Sequence, residues 1–265
     1  MPLRALLLSA SAAAFFAAAA TANPKRGFVG DGCKTGWTNC TAASLLTKSS
    51  WHYSYNPSDP YYATTGRTDG FVPMHWCLSS LPLPVPSYVD LSILLGMNEP
   101  NNLHNCNTAP EIIAKAWGGI MEKWPNSRLI SPATAGDGRP WFDAFFANCT
   151  ALYGARGCNI TGLAVHDYSC TPATTMSYLQ AVHERYKDAD GKPLPVWLTE
   201  FSCGDGASNK PEADHLKFMK GLIPLLDAAP FVERYAWMSA VSANRGLFDP
   251  TTGKLTAVGE LYESL

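Results

Sequence analysis

Two glutamates stand where acids are hard to accommodate. Glu99 closes the apolar run Ile93-Leu94-Leu95-Gly96-Met97-Asn98, and Glu200 closes Val196-Trp197-Leu198-Thr199. An ionised carboxylate at the end of a buried strand is costly unless partnered, so a pair of them needs a chemical reason. Cleavage of a glycosidic bond supplies one: the first acid protonates the leaving oxygen, while the second stabilises or traps the oxocarbenium-like centre. At a separation of about 5–5.5 Å the second carboxylate acts as a nucleophile and configuration is retained. At that distance one carboxylate is expected to raise the pKa of the other, keeping an acid protonated near the working pH. For either glutamate alone, a salt bridge or a helix cap at a strand end is the plainer reading.

Eight short apolar runs are read as strands: Gly27–Asp31, Trp51–Tyr55, Phe71–Trp76, Ile93–Asn98, Leu129–Pro132, Gly162–His166, Val196–Glu200 and Arg234–Ser239. Helical spacing of apolar residues predicts helices over Pro110–Trp124, Trp141–Leu152, Thr174–Tyr186 and Pro211–Leu226, with Thr108 as the N-cap of the first. Strands alternating with helices at this length predict a single (β/α)8 TIM-type barrel. The proline-rich connection Cys77–Leu91 predicts one degenerate βα unit after strand three. An open doubly wound sheet is the alternative, although no glycine-rich phosphate loop follows the first run. In such a barrel the working face lies where strands end. There stand Trp76, Asn98-Glu99-Pro100, His166-Asp167-Tyr168, Glu200 and Trp237. Strands four and seven face each other across the mouth, which would bring Glu99 and Glu200 over one sugar.

The rest of the chain bounds where this chemistry takes place. Residues 1–22 carry one early cation (Arg4), an alanine-rich apolar run and the small triplet Ala20-Thr21-Ala22. That is the layout of a signal peptide, which leaves residues 23–265 as the catalytic barrel and predicts an extracellular or cell-wall location. A net charge of -2 gives no basic footprint for nucleic acid, and no later stretch reads as a membrane span. Eight cysteines in an oxidising compartment suggest disulfides, with 105 connectivities open. No pair has CxxC spacing, so neither a metal nor a cofactor is expected. Sequons at Asn39, Asn148 and Asn159 are candidate glycan acceptors.

The elements Gly96-Met97-Asn98-Glu99-Pro100-Asn101, Leu198-Thr199-Glu200-Phe201 and Glu233-Arg234-Tyr235-Ala236-Trp237 resemble glycoside hydrolase family 128. These are β-1,3-glucanases of the clan A barrels with the alkali-sensitive-linkage-protein type of catalytic core. Lys25-Arg26-Gly27, Phe71-Val72-Pro73-Met74 and Ala164-Val165-His166 are similar to that family's strands, so the resemblance runs from about residue 25 to Leu265. It implies retaining endo attack on β-1,3-glucan, with Glu99 as acid/base and Glu200 as nucleophile; separately, a monomer is expected. Asn98 would bond the sugar 2-hydroxyl at the cleaved linkage.

Aromatic planes that stack on sugar C–H faces are sought in Trp76, Trp237, Tyr53 and Tyr55, and further hydroxyl contacts in His166 and Tyr168. Two departures from the family stand out: His166-Asp167-Tyr168 replaces His-Trp-Tyr, and Met238 replaces Phe after Trp237. Strand adjacency predicts disulfides Cys77–Cys106 and Cys170–Cys203 around the mouth, with Cys33–Cys40 and Cys149–Cys158 as local bridges. A catalytically silent β-glucan-binding protein on the same barrel, and a clan A hydrolase of another β-glycan, are the competing readings.

Overall fold

The computed structural model describes residues 22–30, 44–59, 61, 70–81 and 85–265. The expected signal segment up to Thr21, Asp31, the pair Cys33–Cys40 and Asn39 lie outside the described residues. Seven parallel strands form one curled sheet: β1 (Asn23–Val29), β2 (Ser49–Tyr53), β3 (Ile93–Leu95), β4 (Arg128–Ile130), β5 (Ile160–Asp167), β6 (Val196–Phe201) and β7 (Val232–Trp237). Their spatial order is β2-β1-β7-β6-β5-β4-β3. All six residues of β6 are buried, as expected for a parallel strand covered on both faces.

The run Phe71–Trp76 is not a regular strand, so the described residues give seven regular strands where eight runs are expected. It makes single parallel bridges to both edges of the sheet, Phe71 to His52 of β2 and Met74 to Leu95 of β3. Pro73 lies in its middle with no N–H to donate, although its carbonyl accepts from Leu95 N at 2.9 Å. After it, the described part of 77–91 holds one 3-10 turn, Leu78–Ser80, in place of a helix.

Among the described residues, five α-helices pack outside the sheet: α1 (Pro110–Lys123), α2 (Arg139–Tyr153), α3 (Pro172–Arg185), α4 (Glu212–Ala228) and α5 (Ala257–Ser264). Proline in the first turn starts α1, α2 and α3, where its missing N–H would be unpaired anyway. Ala109, not Thr108, is the N-cap of α1. The Thr108 hydroxyl turns back to donate to Cys106 O at 2.7 Å, which removes it from the helix end. The short α5 does take a side-chain cap, Thr256 Oγ1 accepting from Gly259 N at 3.1 Å.

Side chains alternate along the strands and so build two apolar layers. Leu94, Leu129, Leu163, Val165, Leu198, Tyr235 and Trp237 belong to the layer shared with the helices. Their neighbours Leu95, Ile130, Ala164, Trp197 and Ala236 join Val29, Trp51 and Tyr53 in an inner cluster. Trp51 and Trp197 meet edge to face at 5.3 Å, and the Arg234 guanidinium lies 5.3 and 4.7 Å from their rings. Gly27 makes room for this cluster, because a Cβ there would sit 2.5 Å from Trp51.

Candidate active site

Glu99 leaves β3 through a fixed turn. Asn98 N donates to Trp76 O at 2.8 Å and Glu99 N to Ala133 O at 2.7 Å, so the chain segments on either side grip the backbone. Glu99 itself has φ 43°, a left-handed conformation that non-glycine residues adopt at a cost and that recurs at functional sites. Glu200 sits in β6 opposite His166 of β5, beside an irregularity between Val165 and His166.

Three side chains form the centre. His166 Nδ1 lies 2.8 Å from Glu99 Oε1 and 3.3 Å from Glu200 Oε2. One carboxylate oxygen of each glutamate and a ring nitrogen of His166 lie within 4.8 Å of one another. The other contacts to the carboxylates come from hydrogen-bond donors. Asn102 Nδ2 donates to Glu99 Oε2 at 2.7 Å, and Asn105 Nδ2 donates to the same oxygen. Tyr55 and Tyr53 hydroxyls reach Glu200 Oε1 at 2.8 and 3.3 Å, and the Tyr168 hydroxyl donates to Oε2 at 2.5 Å. A cation could be spanned by Glu99, His166 and Glu200, but it would compete with donors already aimed at these oxygens. The donor set suits a carboxylate pair held by its own hydrogen bonds.

The electrostatics correct the expectation that crowding raises the acid. Burial alone would raise the Glu99 pKa, but His166, Asn102 and Asn105 outweigh it and hold the carboxyl below the ordinary glutamate value. His166 moves the other way: burial opposes its charge, yet Glu200 and Glu99 raise its pKa above the ordinary imidazole value. Burial, followed by Glu200, pushes the Tyr168 phenol well up, so it remains a donor.

The cleft above this centre has a volume of about 250 Å³ and is lined by Tyr55, Trp76, Asn98, Tyr168, Asp205 and Met238 around the two glutamates. Three expected sugar contacts are not brought to it. Trp237 is fully buried in the layer shared with the helices, against Phe201 and His215, and its indole N–H donates to Arg245 O. Alternation explains this, since Ala236 of β7 and Met238 just beyond its end pack on the inner cluster. Tyr53 is also fully buried, sharing its hydroxyl between Thr199 O and Glu200. His166 has no exposed surface and lies between the acids. A larger hollow elsewhere, lined by Cys149, Asn159, Lys187 and Asp190, has no buried carboxylate among its lining residues.

Asn102, Asn105 and Asp205 carry no mark in the sequence that ties them to the site, whereas Met238, which stands out there only as the departure after Trp237, lines the cleft. The asparagine-rich stretch after Glu99 was the nearest signal for the first two. Asp205 is set by the buried Arg245, whose Nη2 donates to Oδ1 at 2.8 Å while Nη1 bonds Ser202 Oγ and Gly204 O at 3.1 Å. The pairs Cys77–Cys106, Cys149–Cys158 and Cys170–Cys203 are bonded. The first follows Trp76 and Asn105, and the last lies two residues from Tyr168 and Asp205. Asn159 falls between α2 and β5, whereas Asn148 lies within α2 with its amide donating to Ala144 O at 2.8 Å.

A curled parallel sheet with two buried, donor-clamped glutamates at its strand ends defines a glycoside hydrolase. The chain belongs to the glycosyl hydrolase catalytic core family, whose model matches residues 31–262. Alkali-sensitive linkage protein 1 of Schizosaccharomyces pombe is 28% identical over 184 residues, which is 64% of this chain and 32% of that protein. The chain thus spans about a third of that relative's length. Solved family 128 structures share the fold. A curdlan-specific exo-β-1,3-glucanase from Blastomyces gilchristii, in complex with glucose, is 28% identical with TM-score 0.69, covering 92% of this chain and 100% of the other. An endo-β-1,3-glucanase from Amycolatopsis mediterranei, in complex with laminaritriose, is 27% identical with TM-score 0.72, covering 91% and 99%. Among the described residues, no helix is long and apolar enough to cross a membrane.

Proposed function

We propose that this chain is a secreted, monomeric, retaining endo-β-1,3-glucanase on a (β/α)8 barrel in which Phe71–Trp76 stands as the degenerate strand. The observation that carries the reading is the pairing of Glu99 and Glu200, with carboxylate oxygens within 4.8 Å of each other at one cleft. That proximity suits double displacement, in which a water need not fit between acid and sugar. Glu200, steadied by three tyrosine hydroxyls, attacks the anomeric carbon. Glu99 protonates the leaving oxygen and then takes a proton from water. Asn98 lines the cleft with its carbonyl oxygen unpartnered and buried, ready for a sugar hydroxyl. Trp76, Tyr55 and Tyr168 hold the ring.

The experiment is product profiling on laminarin and laminari-oligosaccharides, with anomer detection by NMR and Glu99→Gln and Glu200→Gln as controls. Released β-anomer from the wild type, with Glu200→Gln folded but inactive, supports the reading. Binding without release overturns it in favour of a glucan-binding protein. Exo action is the second reading, favoured by the equal likeness to the Blastomyces enzyme, and single-glucose products would select it. Glycans are proposed at Asn39 and Asn159, with Asn148 a poorer acceptor because its amide is tied within a helix.

A further inference from the structure

The centre poses a proton problem. Glu99 must deliver a proton to the leaving sugar, yet two amides occupy its Oε2 and an imidazole faces its Oε1. A proton on Oε2 would face two N–H donors, so the only place for it is on the Oε1 side. The nearest group that can hold one there is His166 Nδ1 at 2.8 Å, and the same nitrogen lies 3.3 Å from Glu200. His166 is entirely buried, so it touches no sugar and acts only through these acids.

Resting on the glycosidase reading, we infer that His166 is a positioning residue that stores the acid's proton on Nδ1 while Glu200 is ionised and yields it through Glu99 Oε1 when the charge of Glu200 is consumed. The steps balance. At the start Glu99 and Glu200 are anionic and His166 is cationic. As the Glu200 oxygen bonds to the anomeric carbon, the C–O bond to the leaving sugar breaks and its electron pair goes to the leaving oxygen. That oxygen takes a proton from Glu99, which draws one from Nδ1. The ester of Glu200 is neutral, His166 is neutral and Glu99 is anionic. In the second step Glu99 removes a proton from water, the hydroxyl bonds to carbon, and the ester bond returns its pair to Glu200. The proton goes back to Nδ1. The three groups together carry one negative charge at each resting point, which limits the cost of rearranging charge in a buried site.

Among the described residues, three carboxylates face His166. Glu99 comes from the β3 end, Glu200 from β6 and Asp205 from the loop after β6. Tyr168 and Tyr53 contact it through Glu200. Arg245, paired with Asp205, lies 5.9 Å from the Tyr168 ring.

The test is His166→Asn, whose amide keeps a donor on the chain but cannot titrate. Two substrates are compared across pH: a laminari-oligosaccharide, whose leaving alcohol needs an acid, and a dinitrophenyl β-laminaribioside, whose leaving group does not. The expected result is a loss of about 100-fold on the oligosaccharide, with the dinitrophenyl substrate within about tenfold of wild type. The alkaline limb on the oligosaccharide should also move to lower pH. An equal loss on both substrates with an unchanged pH profile overturns the inference. If His166→Asn does not fold, imidazole NMR of the wild type and Glu200→Gln replaces it. One histidine should release its proton at lower pH in Glu200→Gln, and no such change overturns the proposal. Wild-type inactivity on oligosaccharides overturns the glucanase reading and this inference with it. Wild-type activity with matching profiles overturns this inference alone.

Discussion

The Asn102 amide donates to Oε2 of Glu99 from three residues further along the same turn, 2.7 Å away. Asn105 reaches the same oxygen from one turn later, next to the Cys77–Cys106 disulfide. Donors directed at a carboxylate favour its ionised form, so removing them raises its proton affinity. Asn102→Ala with Asn105→Ala should move the alkaline limb of the pH–rate profile up by about one unit, the equivalent of about 1.4 kcal/mol. An unmoved limb with normal folding would show that these amides do not tune the acid.

Burial, and then the nearby charge of Lys123, depress His75 to about 4. Its ring packs 5.0 Å from that of Trp124, inside the fold. The unfolded chain titrates this imidazole near 6.5, so between about 6.5 and 4 the unfolded state binds more protons. Stability should therefore fall as pH drops through that window, by about 3 kcal/mol, and level off below it. His75→Phe keeps a ring against Trp124 and should flatten this part of the curve of Tm against pH. A slope identical to wild type would remove His75 as its source.

The two catalytic candidates were legible because an acid ending an apolar run is anomalous in itself. The eighth run was legible as apolar, but Pro73 lacks the N–H a ladder needs, so Phe71–Trp76 forms only single bridges. Helix α5 was missed because eight residues give too few turns for a periodic signal. The cleft's second ring of residues was less legible still. Asn102 and Asn105 meet Glu99 only because its φ of 43° turns the chain back, and Arg245 meets Asp205 from forty positions away. Trp237 does end β7, as its place in the apolar run implies, but its facing depends on the phase of β7, and register shifts between β6 and β7 hide that phase from the sequence.

The disulfide Cys170–Cys203 ties the loop after β5 to the loop after β6 across 33 residues. In the chain-entropy account, closing a loop of this length contributes about 4 kcal/mol. Replacing both cysteines with serine should lower urea stability by about 3–4 kcal/mol and raise KM, since Tyr168 and Asp205 lie on the loops that it joins. If KM is unchanged while stability falls, the bridge serves the fold and the cleft loops hold their positions without it.

Trp76 and Trp237 provide the sharpest separation of cleft from core. Trp76 is half-buried and lines the cleft, whereas Trp237 is enclosed by Phe201, His215 and Tyr262. Truncating a buried tryptophan leaves a cavity and costs about 3–5 kcal/mol. Trp237→Ala should therefore lose about that much in a denaturant melt, while Trp76→Ala should lose little stability. Conversely, laminari-oligosaccharide affinity should fall about tenfold in Trp76→Ala, about 1.4 kcal/mol for the loss of one well-packed aromatic contact. Binding titrations beside the melts check both halves. If Trp237→Ala were as stable as wild type but failed to bind sugar, its place in the core would be wrong and the sheet's inner and outer faces would have to be exchanged.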